Sequence, residues 1–211
     1  MKKAGALVGL LVALGPLDAA AEEEEEIKPV PTMTDTLGGH LLIDLRGSFV
    51  APFGRLSEDE HHSERTGNGW GAGLGVGWGL DRFVSLGAYG EIEGYGATNA
   101  CDDCRSLGFG AGAQVQYHLA QGLRLDPWLS YGAGIRGLQA HVDGDELNYL
   151  GVEWLRMTVG ANWFALPNLG LGPFAQFGAA TMTRTPEGEP PGGTSWRFMI
   201  GLNVTLDFPG K

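Results

Sequence analysis

This chain of 211 residues holds two cysteines, and past residue 21 no apolar run approaches the ~20 residues that a membrane-spanning helix needs. Cationic side chains are scarce as well. Lys and Arg number 14 against 25 Asp and Glu, for a formal charge of −11. So acidic a chain repels phosphate backbones, which sets nucleic-acid binding aside. The cysteines form one Cys-x-x-Cys, Cys101-Asp102-Asp103-Cys104, with no second copy and no helical pattern behind it. That weighs against a thioredoxin-like pair or half of a metal centre. Glycine is what the chain has in excess, 36 residues of 211. The usual share is ~7%, and the strict third-residue period of collagen is absent.

Lys2 and Lys3, the apolar stretch 4–14 and Ala19-Ala20-Ala21 have the three-part layout of a secretory signal peptide, expected to end at residue 21. No cysteine adjoins that site, so no lipid anchor is expected. Removal of 1–21 takes Lys2, Lys3 and Asp18 with it and leaves a net charge of −12. Residues 22–26 are all Glu, and Lys28-Pro29-Val30-Pro31 follows. Like-charge repulsion and two prolines make 22–37 a flexible acidic leader. An exported chain meets an oxidising compartment, so a disulfide between Cys101 and Cys104 is the expected state.

The excess glycine is ordered. From Gly69 to Gly79 every second residue is Gly, and between them stand Trp70, Ala72, Leu74, Val76 and Trp78. Successive side chains of a strand point to opposite faces, so one face carries bulk and the other nothing. A lipid-facing exterior and a crowded interior of a narrow barrel account for both faces.

The same period runs through seven further segments of residues 38–208. One face collects Leu41, Ile43, Leu45 and Phe49, then Val84, Leu86 and Ile92, then Leu107 through Tyr117 in alternation. Leu129 to Ile135, Leu155 to Trp163, Leu169 to Phe177 and Phe198 to Phe208 continue it. The other face collects glycine, Ser, Gln and the charged set Asp44, Arg46, Glu91, Glu93, Arg136, Arg156, Arg197 and Asp207. Tight connections at 80–82, 120–122 and 166–168 alternate with longer polar ones at about 54–67, 97–105, 138–148 and 184–194. Trp78, Tyr117, Trp163 and Phe208 fall at the tight-turn ends of their strands. Phe53, Trp70, Phe177 and Trp196 fall near the long-loop ends, which makes two aromatic belts. Alternation alone does not tell inside from outside. Eight strands enclose little space, so the face holding glycines and charges is assigned inward. The fold class expected is all-β: one eight-stranded antiparallel up-and-down transmembrane barrel over residues 38–208.

On this architecture the chain resembles the small eight-stranded outer-membrane β-barrel family that includes outer-membrane proteins A, X and W. The segment Asp126-Pro127-Trp128-Leu129-Ser130-Tyr131-Gly132-Ala133-Gly134 looks like that family's Pro-aromatic, Gly-x-Gly strand. Leu202, Val204, Leu206 and Phe208 match its closing assembly signal, with Pro209-Gly210-Lys211 as a departure. The resemblance implies an outer-membrane location in a Gram-negative-type bacterium, with both mature termini periplasmic. It implies outer-membrane lipid and the barrel-assembly machinery as partners, and no cofactor. Lipid A deacylases share the architecture and carry a His-x-Ser pair on a strand. Here His118 and His141 lack the serine, and His61-His62-Ser63 precedes the second strand. The chain is therefore expected not to be an enzyme.

The inward charges read either as an ion path or as a salt-bridged plug, since buried charge demands compensation. The plug is the preferred reading. Glu58-Asp59-Glu60-His61-His62 and Asp143-Gly144-Asp145-Glu146 are metal-capable by residue type, but are read as solvated loop segments. The leading function is a non-enzymatic barrel for envelope integrity or surface interaction through acidic external loops. The alternatives are uptake of a small apolar solute through space left by the glycines, and a lipid-modifying activity.

Overall fold

The computed structural model describes residues 36–56, 61–62, 66–97, 105–120, 123–142, 145–185 and 193–210. Residues 1–21, nearly all of 22–37, Cys101, Cys104, the acidic triplet 58–60 and residues 143–144 lie outside the described residues. Eight strands follow one another: β1 (Leu41–Gly54), β2 (Gly69–Gly79), β3 (Val84–Tyr95) and β4 (Arg105–His118), then β5 (Leu125–Val142), β6 (Asp145–Leu166), β7 (Leu169–Thr185) and β8 (Thr194–Phe208). Each pairs antiparallel with its sequence neighbours, and β1 pairs with β8 from Leu41↔Phe208 to Gly54↔Ser195 to close the barrel. Closure leaves no unpaired sheet edge, a condition for crossing lipid with strands.

The apolar set faces out. Leu74, Val76, Val115, Ile135, Val159 and Ile200 are exposed around the wall. In water so continuous an apolar surface is a liability; in a bilayer it is the solvent-matched face. Trp78, Tyr117, Trp163 and Phe208 ring the end that holds the tight turns. At the other end Phe53, Phe177, Trp196 and Trp154 touch in sequence, with centroids 6.2, 5.4 and 5.8 Å apart and the two Trp rings edge to face. The closing-strand residues Leu202, Val204, Leu206 and Phe208 all lie on this outer face of β8, against Gly47, Leu45, Ile43 and Leu41 of β1.

One connection departs from expectation. Residues 138–148 do not form a long loop. β5 and β6 stay paired from Leu138↔Tyr149 to Val142↔Asp145. The pattern hid this because its polarity inverts there. Leu138, Ala140 and Tyr149 point in and are buried, while Gln139, His141, Glu146 and Asn148 point out. Gln139 donates to Glu146 at 2.5 Å and Asn148 donates to it at 3.2 Å. A hairpin that rises past the lipid meets water outside, so its polar face turns outward and reads as a loop by membrane-strand rules.

Candidate functional site: the barrel interior

The interior is filled in three tiers. At the tight-turn end, two His–Asp couples close the floor. His40 Nδ1 lies 2.7 Å from Asp207 Oδ1, and His118 Nδ1 lies 2.8 Å from Asp126 Oδ2. Above them Thr205 donates to Asp44 at 2.5 Å, and Asn203 donates to both Asp44 and Asn162. Arg46 reaches Asn203 at 3.3 Å and lies between the rings of Trp128 and Phe174, 5.2 and 5.7 Å from their centroids.

The middle tier is ionic. Arg156 donates to Glu91 at 2.6 Å, with its guanidinium 3.9 Å from the Tyr89 ring centroid. Arg136 forms a fork on Glu93 and donates to the Tyr95 hydroxyl at 2.8 Å. Arg197 sits at the centre. It contacts Glu91 and Glu93 through one nitrogen and donates to Glu153 at 2.5 Å through the other. Tyr89 donates to Glu153 at 2.7 Å, and Tyr95 donates to Glu93. Four arginines (Arg46, Arg136, Arg156, Arg197) therefore meet four acids (Asp44, Glu91, Glu93, Glu153), all buried. Equal numbers matter, because an unmatched charge in this setting costs several kcal/mol.

The top tier is apolar: Val50, Leu56, Tyr95, Leu138, Tyr149, Ala180, Met182 and Met199 form one buried cluster. The alternation gave little notice of it, since these residues share the inward parity with charges. Trp128 is a similar case, buried inside over Gly160.

The glycines make room for these side chains unequally. A Cβ at Gly110 would lie 3.0 Å from Glu91 Oε1, and one at Gly108 would lie 3.0 Å from Glu93 Oε2. At Gly112 it would meet Ala133 O at 2.2 Å and the Tyr89 hydroxyl at 2.8 Å. The β2 ladder is looser at its centre. At Gly73 the nearest atom is Gly90 O at 3.6 Å. One space lined by Arg46, Ser48, Tyr89, Glu91, Arg156 and Phe174 has a volume of about 10 Å³. That is about one water molecule. A groove of about 310 Å³ on the lipid-facing side of the same wall is lined by Ala72, Gly73, Leu74, Gly90, Glu91 and Ile92.

Of the charged positions singled out from sequence, seven cluster in the middle and lower tiers, and Asp207 lies apart in the floor against His40. Glu153 is the charged member that alternation missed. Its strand carries a bulge, in which Gly132 pairs with Arg156 but Gly134 pairs with Glu153. The adjacent apolar pair Trp154-Leu155 is the sequence mark of that bulge.

His62 is not a solvated loop residue. It is 2% exposed and lies at the long-loop end, hydrogen-bonded to Ser195 of β8 and to Thr66. Burial, reinforced by the Arg136 charge, pushes its imidazole down to about 3. A serine hydroxyl 2.7 Å from a histidine nitrogen invites comparison with a nucleophile and its base. Here the other ring nitrogen faces the Thr66 hydroxyl at 2.8 Å rather than a carboxylate. So weak a base, covered on all sides, is poorly suited to take the serine proton.

No family model and no curated protein matches this sequence. Among solved structures it is similar to Neisserial surface protein A (NspA), with 11% identity and a TM-score of 0.56 over 79% of this chain and 98% of that one. It is also similar to the N-terminal β-barrel domain of Pseudomonas aeruginosa OprF, with 15% identity and a TM-score of 0.52 over 81% of this chain and 98% of that one. At such identities the likeness is one of fold. The chain is an eight-stranded antiparallel barrel of the outer-membrane type.

Proposed function

We propose that this protein is a non-conducting, non-enzymatic outer-membrane barrel that serves envelope integrity or surface interaction through its external loops. The observation that carries the reading is the filled interior. Arg197 is tied to three carboxylates from β3 and β6, an apolar cluster lies above it, and the space beside Arg46 and Arg156 is about 10 Å³. Opening a path for ions means parting charge pairs in a low-dielectric core, at a cost of about 3–5 kcal/mol for each. The described chain ends, at Thr36 and Gly210, lie beside the tight turns at 80–82 and 166–168, the end read here as periplasmic. Leu202, Val204, Leu206 and Phe208 then present the closing strand to the assembly machinery. Single-channel recording in planar bilayers tests the reading. The expected trace is flat or shows rare brief openings; a large steady conductance would overturn the plug. Lipid A mass spectra of a deletion strain should match wild type, and a changed acyl pattern would favour a lipid-modifying enzyme.

A further inference from the structure

The β5–β6 hairpin that rises past the lipid carries two metal-capable side chains on its outer face. By sequence Glu146 belongs to an acidic turn, where a carboxylate would be solvated and free to rotate. In the structure it stands on a paired strand, directly across from His141. Directly opposed residues have Cβ atoms ~4.5–5.5 Å apart, so register alone brings the ring and the carboxylate within reach.

The carboxylate is also oriented. Its Oε1 accepts from Gln139 Nε2 at 2.5 Å and from Asn148 Nδ2 at 3.2 Å. These two amides pair with each other in the next outward row of the ladder. Oε2 is left facing His141 Nε2 at 3.9 Å. That gap is too long for a hydrogen bond. A zinc ion bonds nitrogen at about 2.0–2.1 Å and carboxylate oxygen at about 2.0–2.2 Å, which spans the gap at a wide angle. A side-chain movement of about half an ångström closes the angle to tetrahedral.

We propose that His141 Nε2 and Glu146 Oε2 bind a zinc ion on the outer face of this hairpin, with Gln139 and Asn148 as positioning residues. An imidazole in the ligand set suits zinc, whereas calcium and magnesium take oxygen ligands. Hydrogen bonds that fix a ligating carboxylate are a regular part of such sites. The His141 and Glu146 side chains are 58% and 50% exposed, so an ion enters without any opening of the hairpin. Arg105 is paired beside His141 on β4, and its charge counts against a cation. It is exposed, and its long side chain can carry that charge out into water. Among the described residues no third His, Cys, Asp or Glu joins the pair. The remaining positions are therefore open to water, or to a carboxylate or phosphate of a neighbouring molecule. The site rests on the geometry of the hairpin and not on the plug, so a conducting barrel would carry it equally.

The test uses the full mature chain, refolded in detergent micelles and stripped with chelator. Calorimetric titration with zinc chloride should show one saturable site in the micromolar range. His141→Gln and Glu146→Gln should each weaken it roughly tenfold or more. Both positions are exposed, so circular dichroism of the two variants should match wild type. His61→Gln is the control, because His61 follows the acidic triplet 58–60 and is a rival source of binding. It should leave the titration unchanged. The His141 ring resonances should shift with the same midpoint as the heat. Absence of saturable zinc binding would overturn the proposal. So would binding unaltered in His141→Gln or in Glu146→Gln, or binding lost in His61→Gln alone.

Discussion

Glu153 and Arg156 lie three residues apart on β6, yet both point into the barrel. Strict alternation would place them on opposite faces. The bulge at Trp154 and Leu155 sends two successive apolar side chains outward and brings Glu153 back inside, where Arg197 and Tyr89 bind it. With Glu153 inside, the four buried arginines meet four acids, Asp44, Glu91, Glu93 and Glu153, above the two His–Asp couples of the floor.

Removing this acid should be costly. Glu153→Ala strips Arg197 of one partner and Tyr89 of its acceptor, a loss of about 3–5 kcal/mol for a buried pair. Urea unfolding from detergent or lipid should show the midpoint fall while the heat-modifiable gel shift persists. Deleting Leu155 should be tolerated far better, because loss of the extra residue leaves Glu153 and Arg156 two apart and both still inward. Folding yield into vesicles reads that outcome, and a deletion variant that fails to fold would refute the assigned role of the bulge.

The glycines separate into two classes. Gly73→Ala adds a methyl with no neighbour nearer than 3.6 Å, so stability should change by about 1 kcal/mol at most. Gly112→Ala meets backbone at 2.2 Å and the Tyr89 hydroxyl at 2.8 Å. It should lose about 1–3 kcal/mol or fail to fold. Parallel denaturation of the two variants decides the matter, and equal sensitivity would mean that the β2 ladder is as crowded as β4.

Arginine on the outer face should block insertion. Leu74 and Ala111 face out near mid-strand, where a basic residue costs roughly 2–4 kcal/mol at the bilayer midplane. Leu74→Arg and Ala111→Arg should accumulate unfolded, as read by protease sensitivity of membrane fractions. Assembly at wild-type yield would argue against lipid on this face.

A Cys101–Cys104 bridge, proposed from the compartment and the spacing, closes a very small loop and should contribute little to stability. The Cys101→Ser/Cys104→Ser variant should fold and insert normally. Thiol labelling of intact cells without reductant should be negligible in wild type, and stoichiometric labelling of both residues would refute the bond.

The period of two, taken with the narrow bore of eight strands, pointed to a barrel and to the face that meets lipid. Side chains alternate by backbone geometry alone, and eight strands cannot hold bulk on both faces. Leu74 outside and Glu91 inside were legible for that reason. What required the tertiary structure were the places where parity or polarity breaks. The bulge moves Glu153 across the wall. The β5–β6 hairpin inverts its polarity as it leaves the lipid. Leu138, Tyr149 and Met199 gather into an apolar tier that alternation could not distinguish from the charged one. His62 read as a solvated loop histidine, because nothing local in sequence announces Ser195, 133 residues away. Local pattern reports the solvent on each side of a strand; which inward side chains meet across the barrel depends on register and closure, and those exist only in three dimensions.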